Sequence, residues 1–493
     1  MQPHASTLPL LVVSAPALTA MLIVLTRRVP AVRDGILIAG AVVTFAMIAA
    51  LVPGALDGQV ATTSLGGLVP GTELTLRADG MGMIFALLAG FLWVLAGSYA
   101  LGYMRGDAAK HQTRFYAFYA LCLSTAFAVA FAGDLLTFFI AYEALTLATY
   151  PLVTHKGDAK AVAAGRKYLG TLLTGGVAVL LATILVYANT GSLEFVAGGF
   201  VADAMGPGLT IAVFGLFAVG FATKAGVMPL HAWLPGAMVA PTPVSALLHA
   251  VAVVKAGVFA FGRLIGFVIG PGVLAGLDVA VVLAAVTGAT IVVASIIALR
   301  QDNLKRRLAY STIAHLSYIV LGFALLSQTS FEGGLLHIVN HGALKITLFF
   351  AAGAIHIAAH KDNISELDGI ARRMPFTMTA FAVAAYGLAG LPPMGGFVSK
   401  SYLVLGAIEA GELFFAGVMV FSGIFTAAYL FPIVYRAFFK PLPDDHHHGE
   451  ASPLMVVPLC VTAFLGLVLG LGDPSGIYEL ARATAELVTV GAP

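Results

Sequence analysis

The chain has 493 residues, of which 26 are Lys or Arg and 24 are Asp or Glu, so charged residues make up 10% where a soluble domain carries about 25%. Apolar residues reach 59% and the mean hydropathy is +0.96, so most of the surface must face lipid, which excludes an ordinary soluble enzyme. A net charge of +2 offers no basic surface for nucleic acid, and two cysteines in apolar runs, Cys122 and Cys460, give neither a disulfide framework nor a cysteine metal site.

A ruler of about 20 apolar residues per membrane span predicts an all-α polytopic membrane protein of about 14 transmembrane helices, beginning near residues 7, 35, 80, 115, 134, 168, 208, 243, 275, 308, 333, 377, 413 and 454. The first run lacks a basic leader and is too long for a signal-peptide core, so it reads as span 1. Between spans 2 and 3, GQVATTSLGGLVPGTELTLRADG alternates Thr and Leu and predicts a small extracytoplasmic hairpin. Loops after odd spans collect the positive charge: Arg27, Arg28 and Arg33; Arg105, Lys110 and Arg114; Lys156, Lys160, Arg166 and Lys167. The same holds after spans 9, 11 and 13, with Arg300, Lys305, Arg306 and Arg307, then Lys361, Arg372 and Arg373, then Arg436 and Lys440. Even loops hold only Arg77 and Arg263, the latter expected at the end of span 8. Because cytoplasmic loops are the basic ones, both termini are expected outside the cytoplasm.

Ionisable residues remain inside the apolar runs: Glu143, Lys224, His249, Lys255, His315, His337, His341, Lys345 and Lys400. A charge at the bilayer centre costs about 2.5 to 3.5 kcal/mol, so a proton or ion path is the reading that gives these residues a purpose. The alternative for each lysine is a snorkelling or structurally paired cation. Glu143, mid-span, needs a cationic partner, and Lys224 is the candidate; burial disfavours its charged form while a carboxylate favours it, the balance a proton-exchanging amine requires. Lys255 follows His249 by six residues, so the two do not share one face of a regular helix.

His337, His341 and Lys345 recur at four-residue steps and line one stripe of span 11. Two His at that spacing also suit zinc, but the glutamate of the metalloprotease motif is absent and a lysine follows, so no metal is expected there. Spans 7 (GFATKAGVMPLHAWLP) and 12 (GLAGLPPMGGFVSK) each join a lysine to Pro and Gly, which interrupts helical bonding and predicts broken helices. Interrupted spans at matching places in two halves point to an inverted repeat with an ion site. The expected organisation is residues 1–114, helices 1–3 with the hairpin; 115–270, helices 4–8; 271–440, helices 9–13, inverted relative to the first five; and 441–493, a loop, helix 14 and a tail. The DDHHHGE cluster at 444–450 reads as a solvated loop, with loose metal binding the alternative. No Walker loop, dinucleotide fingerprint or nucleophile elbow is present.

The segments TKAGVMPLHAWLPGAMVAPTPVSALLHAVAVVKAG, LKRRLAYSTIAHLSYI, HIVNHGALKITLFF and GLAGLPPMGGFVSK resemble the antiporter-like subunit family shared by Mrp cation/proton antiporters and respiratory complex I, over roughly residues 75 to 440. Within it, Lys400 and the short chain after the last apolar run are most similar to the Mrp D type. The resemblance implies that Glu143 and Lys224 are a coupled pair, that His249 and Lys255 continue a central axis through His315, His337, His341 and Lys345, and that Lys400 is its terminal exchanging residue. It implies an ion-translocating, proton-conducting subunit of a multisubunit monovalent cation/proton antiporter in a bacterial inner membrane, with other membrane subunits as partners. The other open reading is a proton-pumping subunit of complex I or a membrane-bound hydrogenase, with the redox centres in partner chains. No haem, flavin or iron–sulfur ligand set is readable, so no cofactor is expected in this chain. Nothing in the sequence chooses between Na⁺, K⁺ and H⁺ alone.

Overall fold

The computed structural model describes residues 2–68, 72–442, 449–473 and 475–489. Most of the acidic and histidine cluster at 444–450 lies outside those residues. Chain order begins with β1 (Gln2–Ala5), α1 (Leu8–Leu25), α2 (Pro30–Leu56), β2 (Gln59–Ser64), β3 (Thr75–Ala78), α3 (Gly80–Gly106), α4 (Gln112–Phe131), α5 (Leu135–Val153) and α6 (Ala159–Thr190). There follow α7 (Pro207–Ala225), the single turn α8 (Trp233–Gly236), α9 (Thr242–Ala250), α10 (Val253–Arg263), α11 (Pro271–Ala275), α12 (Val279–Leu299) and α13 (Leu304–Ala324). The last elements are α14 (Gln328–Ala359), α15 (Pro375–Ala389), α16 (Gly395–Glu409), α17 (Leu413–Phe439), α18 (Pro453–Leu471) and α19 (Ile477–Thr489).

Local chemistry fixes many of these starts. The side chains of Asp79, Asp134, Asp158, Asn303 and Ser327 each accept from the backbone N–H three residues on, at 2.7 to 3.1 Å, satisfying donors that a helix N-terminus leaves free. Asp134 also accepts from the Thr75 backbone and hydroxyl, which ties the hairpin to α5.

Among the described residues, 12 helices are long and apolar enough to cross a membrane. At the two remaining expected places stand α13, whose first turns carry Lys305, Arg306 and Arg307, and the interrupted pair α15 and α16. The breaks expected in spans 7 and 12 fall after Ala225 and after Ala389. Gly226 and Gly390, at φ +72° and +91°, close the two helices in the left-handed conformation that favours glycine.

The expected hairpin is present: β2 and β3 pair antiparallel, with Ala61 opposite Ala78. β1 adds a third, parallel strand that the apolar ruler did not foresee. The hairpin and the loop after α6 meet through the Arg77–Glu194 ion pair, and that loop bonds the end of span 8 through Val196 N–H to Phe267 O at 3.1 Å. At the opposite end the loops after α3 and α5 join through Arg114 and the His155 carbonyl at 3.0 Å, and the loop after α14 meets α17 through Arg436 and Asp368 at 2.8 Å. These contacts join even loops with even and odd with odd.

Span 8 differs from expectation in two ways. It is one apolar run over Thr242–Ile269, yet it breaks between α9 and α10, where Val251 and Ala252 leave helical geometry and both their N–H groups turn to the Leu247 carbonyl. Arg263 is not at its mouth: it is 1% exposed, and a π-helical turn, Leu264–Ile269, continues the span. Its guanidinium grips Asp79 through two bonds of 2.6 and 2.9 Å inside a cage of Phe195, Phe259 and Phe267. Burial of that charge is tolerated because its partner's geometry is bidentate.

Candidate functional site: a buried polar axis

Every lysine and histidine singled out from the apolar runs is buried; Lys224, His249, Lys255, His315, His341 and Lys345 are at 0% exposure. Among the described residues, none of the four lysines meets a carboxylate within ion-pair distance. Lys224, in the last turn of α7, donates to the Tyr142 carbonyl at 2.5 Å and lies 3.2 Å from the centre of that tyrosine ring. Lys255 of α10 donates to Ile338 O and contacts His341 Nδ1, both at 3.0 Å. Lys345 of α14 donates to the Ser311 hydroxyl at 2.7 Å and more loosely to Leu308 O at 3.4 Å. Lys400 of α16 donates to Leu388 O and Ala389 O at 2.9 and 3.2 Å.

Those last two carbonyls are the free acceptors at the C-terminus of α15, the negative end of a helix dipole, which favours an ammonium there. Both breaks carry one pattern, Ala225-Gly226-Val227-Met228-Pro229 and Ala389-Gly390-Leu391-Pro392-Pro393. Lys224 stands one residue before the first pattern, and Leu388 holds the corresponding place before the second. Lys400 therefore does not match Lys224 in chain position. Its side chain reaches back across the break to the Leu388 carbonyl, delivering an ammonium to the same place from the other side.

Glu143 and Lys224 make no direct ion pair, although each is the charge that acts on the other. Neither Glu143 oxygen has a hydrogen-bond partner; the carboxylate rests on Gly176 of α6, where an added Cβ would stand 2.6 Å from Oε1. Gly175, next to it, admits Thr223 and the Gly220 carbonyl of α7. The break after α7 is sealed by Trp233, whose indole N–H donates to Thr223 O at 2.7 Å. His249 packs on the Phe349 ring, centres 4.7 Å apart, and both its nitrogens lack protein partners, as do Ser245 Oγ and Tyr142 Oη.

The second half is more continuously bonded, although His341 Nε2 has no partner. His315 Nδ1 meets His337 Nε2 at 3.1 Å, His337 Nδ1 meets the Ser399 hydroxyl at 2.9 Å, and the His341 ring lies 5.5 Å from that of His315. Neutral imidazoles accept at one nitrogen and donate at the other, so such a row can carry a proton. Reading ionisable groups alone missed Ser311, Ser399, Thr426 and Tyr429, because hydroxyls in apolar helices are common and carry no spacing signal.

A multi-pass helical membrane protein with unpaired lysines and stacked imidazoles in its interior is the class that fold and site define. The family model of NADH:quinone oxidoreductase/Mrp antiporter, TM, matches residues 132–426, and the chain belongs to that family. It is 34% identical over 484 residues to NADH-quinone oxidoreductase subunit N of Desulforudis audaxviator, covering 94% of this chain and 95% of that one. It is 32% identical to a probable K(+)/H(+) antiporter component of Rhizobium meliloti over 81% of this chain but 40% of the relative. Its fold is similar to a chain of the Mrp complex from a Dietzia species, with a TM-score of 0.88 at 23% identity over 99% of both chains. A chain of an archaeal membrane-bound sulfane sulfur reductase gives 0.87 at 24% identity over the same share.

Proposed function

We propose that this chain is an ion-translocating, proton-conducting membrane subunit of a multisubunit monovalent cation/proton antiporter of the Mrp D type, in a bacterial inner membrane with both termini outside. One observation carries the reading: four buried lysines bonded only to neutral groups. At about 2.5 to 3.5 kcal/mol each, four such charges cost on the order of 10 kcal/mol, comparable to the whole stability of a domain. Structural cations would be offset by carboxylates. An amine held by carbonyls, a hydroxyl and an imidazole can release its proton and stay hydrogen-bonded. Glu143 and Lys224 form the first exchange site, His249, Lys255 and His341 the centre, His315, His337 and Lys345 the second half, and Lys400 its end. Two inverted five-helix units, 115–270 and 271–440, would place the two breaks symmetrically.

A second reading, a proton-pumping subunit of a quinone-reducing or hydrogenase complex, is favoured by the end-to-end match to a subunit N. Purifying the native complex separates them: flavin and iron accompany the second and not the first. The shared claim is tested with everted vesicles carrying the native complex, in which Glu143→Ala should abolish gradient-driven exchange without loss of assembly. Full exchange at normal abundance would remove Glu143 and its pairing with Lys224 from the mechanism.

A further inference from the structure

We propose that three hydroxyls outside the ionisable set, Ser311, Tyr429 and Thr426, form a proton relay between Lys345 and the His315–His337 pair, and that the Thr426 hydroxyl is its switch. The inference deepens the function proposed above and rests on it. All three are fully buried, on two helices, α13 and α17, that carry no lysine of the axis.

The distances form one run. Lys345 Nζ donates to Ser311 Oγ at 2.7 Å, Ser311 and Tyr429 hydroxyls are 2.8 Å apart, and Tyr429 donates to Thr426 Oγ1 at 3.2 Å. Since a phenol has one hydrogen, Tyr429 giving it to Thr426 must accept from Ser311. All donors then point away from Lys345. Thr426 has two acceptors in reach for its own single hydrogen: Ser422 O at 2.9 Å and His315 Nε2 at 3.5 Å. Donation to Ser422, the shorter bond, ends the run on a backbone carbonyl. Rotation toward His315 completes it, and the same sense continues through His315 Nδ1–H to His337 Nε2 and His337 Nδ1–H to Ser399, one residue from Lys400.

The transfer balances. Lys345 loses one proton and becomes a neutral amine; Ser311, Tyr429 and Thr426 each release their own hydrogen as they take their neighbour's; His315 gains one at Nε2 and the imidazole pair becomes cationic. No net O–H bond forms or breaks, and the hydroxyls finish reversed, so the run must reorient before it carries a second proton. Thr426, with its competing carbonyl, is where that reorientation is controlled.

The test uses everted vesicles carrying the native complex, with initial proton flux and its ratio in H₂O and D₂O. Thr426→Val, isosteric without the hydroxyl, and Tyr429→Phe should each slow flux about a hundred-fold or more, the scale of a lost proton-transfer group, and raise the isotope ratio because that transfer becomes limiting. Thr426→Ser should restore flux to within about two-fold. Wild-type flux and isotope ratio in Thr426→Val and Tyr429→Phe, or a Thr426→Ser variant as slow as Thr426→Val, would overturn the relay. Lys345→Ala is measured beside them. If it stops flux while the hydroxyl variants do not, the relay falls and the conducting role stands; if it too runs at the wild-type rate, the conducting role of this half falls as well.

Discussion

Gly176→Ala tests whether the exact seat of the Glu143 carboxylate matters. The new Cβ would stand 2.6 Å from Oε1, 2.7 Å from Cδ and 2.9 Å from Oε2, against about 3.5 Å for a relaxed contact. The carboxylate must therefore retreat by roughly 0.9 Å. A flexible side chain can do so, and it loses no hydrogen bond because both oxygens have none. Stability should barely change. A displacement near 1 Å in a proton-transfer site costs on the order of ten- to a hundred-fold in rate, so flux in everted vesicles should fall by that factor at normal abundance of the complex. The neighbouring Gly175→Ala gives the contrast. Its Cβ would overlap the Thr223 hydroxyl of α7, which is itself bonded to the Gly220 carbonyl, and would meet that carbonyl at 3.1 Å, so the loss should be in packing of α6 on α7, about 1 to 3 kcal/mol, read as lower assembled abundance. Wild-type flux from Gly176→Ala would refute the argument that the carboxylate's position is functional.

Two further predictions follow from the loop ends. His155, in the turn after α5, bonds Lys110 O at 3.0 Å and is pushed down to about 4, first by burial and then by the Arg114 charge, against about 6.5 when unfolded. The unfolded chain binds the extra proton first, so thermal stability in detergent should fall as pH drops from about 6.5 towards 4 and be flat above; His155→Gln should reduce that slope, and an unchanged slope would contradict the assignment. For topology, Arg306→Cys should be shielded from an impermeant thiol reagent added outside, while Gln328→Cys reacts; both are exposed. The reverse pattern would invert the orientation.

Legibility in the sequence followed the strength of each physical constraint. The cost of a charge in lipid is large, so Lys224, Lys255, Lys345 and Lys400 were conspicuous, and Pro with Gly marked both breaks. The break in span 8 carried no such mark: Val251 and Ala252 are ordinary helix residues, and the interruption sits where Gly342 brings α14 close to the Ala250 carbonyl, an added Cβ meeting it at 3.1 Å. Arg263 looked like a loop residue because a charge near a span end is usually solvated; its partner Asp79 lies 184 positions away, a pairing only the fold supplies. β1 was too short for an apolar ruler. α19 escaped it for a different reason: it buries one face, with Leu480, Ala481, Ala485 and Val488, and presents Glu479, Arg482 and Glu486 outward, so its average polarity hides it. The Glu143–Lys224 pairing was expected from their opposite charges; the fold brings the two near enough for each to feel the other's charge, without a direct ion pair.

The central claim, that buried lysines titrate during turnover, is tested most directly at Lys400. Arginine keeps its proton under all accessible conditions while a desolvated lysine can release one, so the two roles separate. Gradient-driven exchange is measured in everted vesicles for Lys400→Arg, Lys400→Ala and Lys400→Glu, with assembly followed in parallel. The account predicts that Arg and Ala both stop exchange in a fully assembled complex, while Glu, a carboxylate that can also titrate, retains part of it. Wild-type exchange from Lys400→Arg would contradict it and leave Lys400 a fixed cation at the C-terminus of α15.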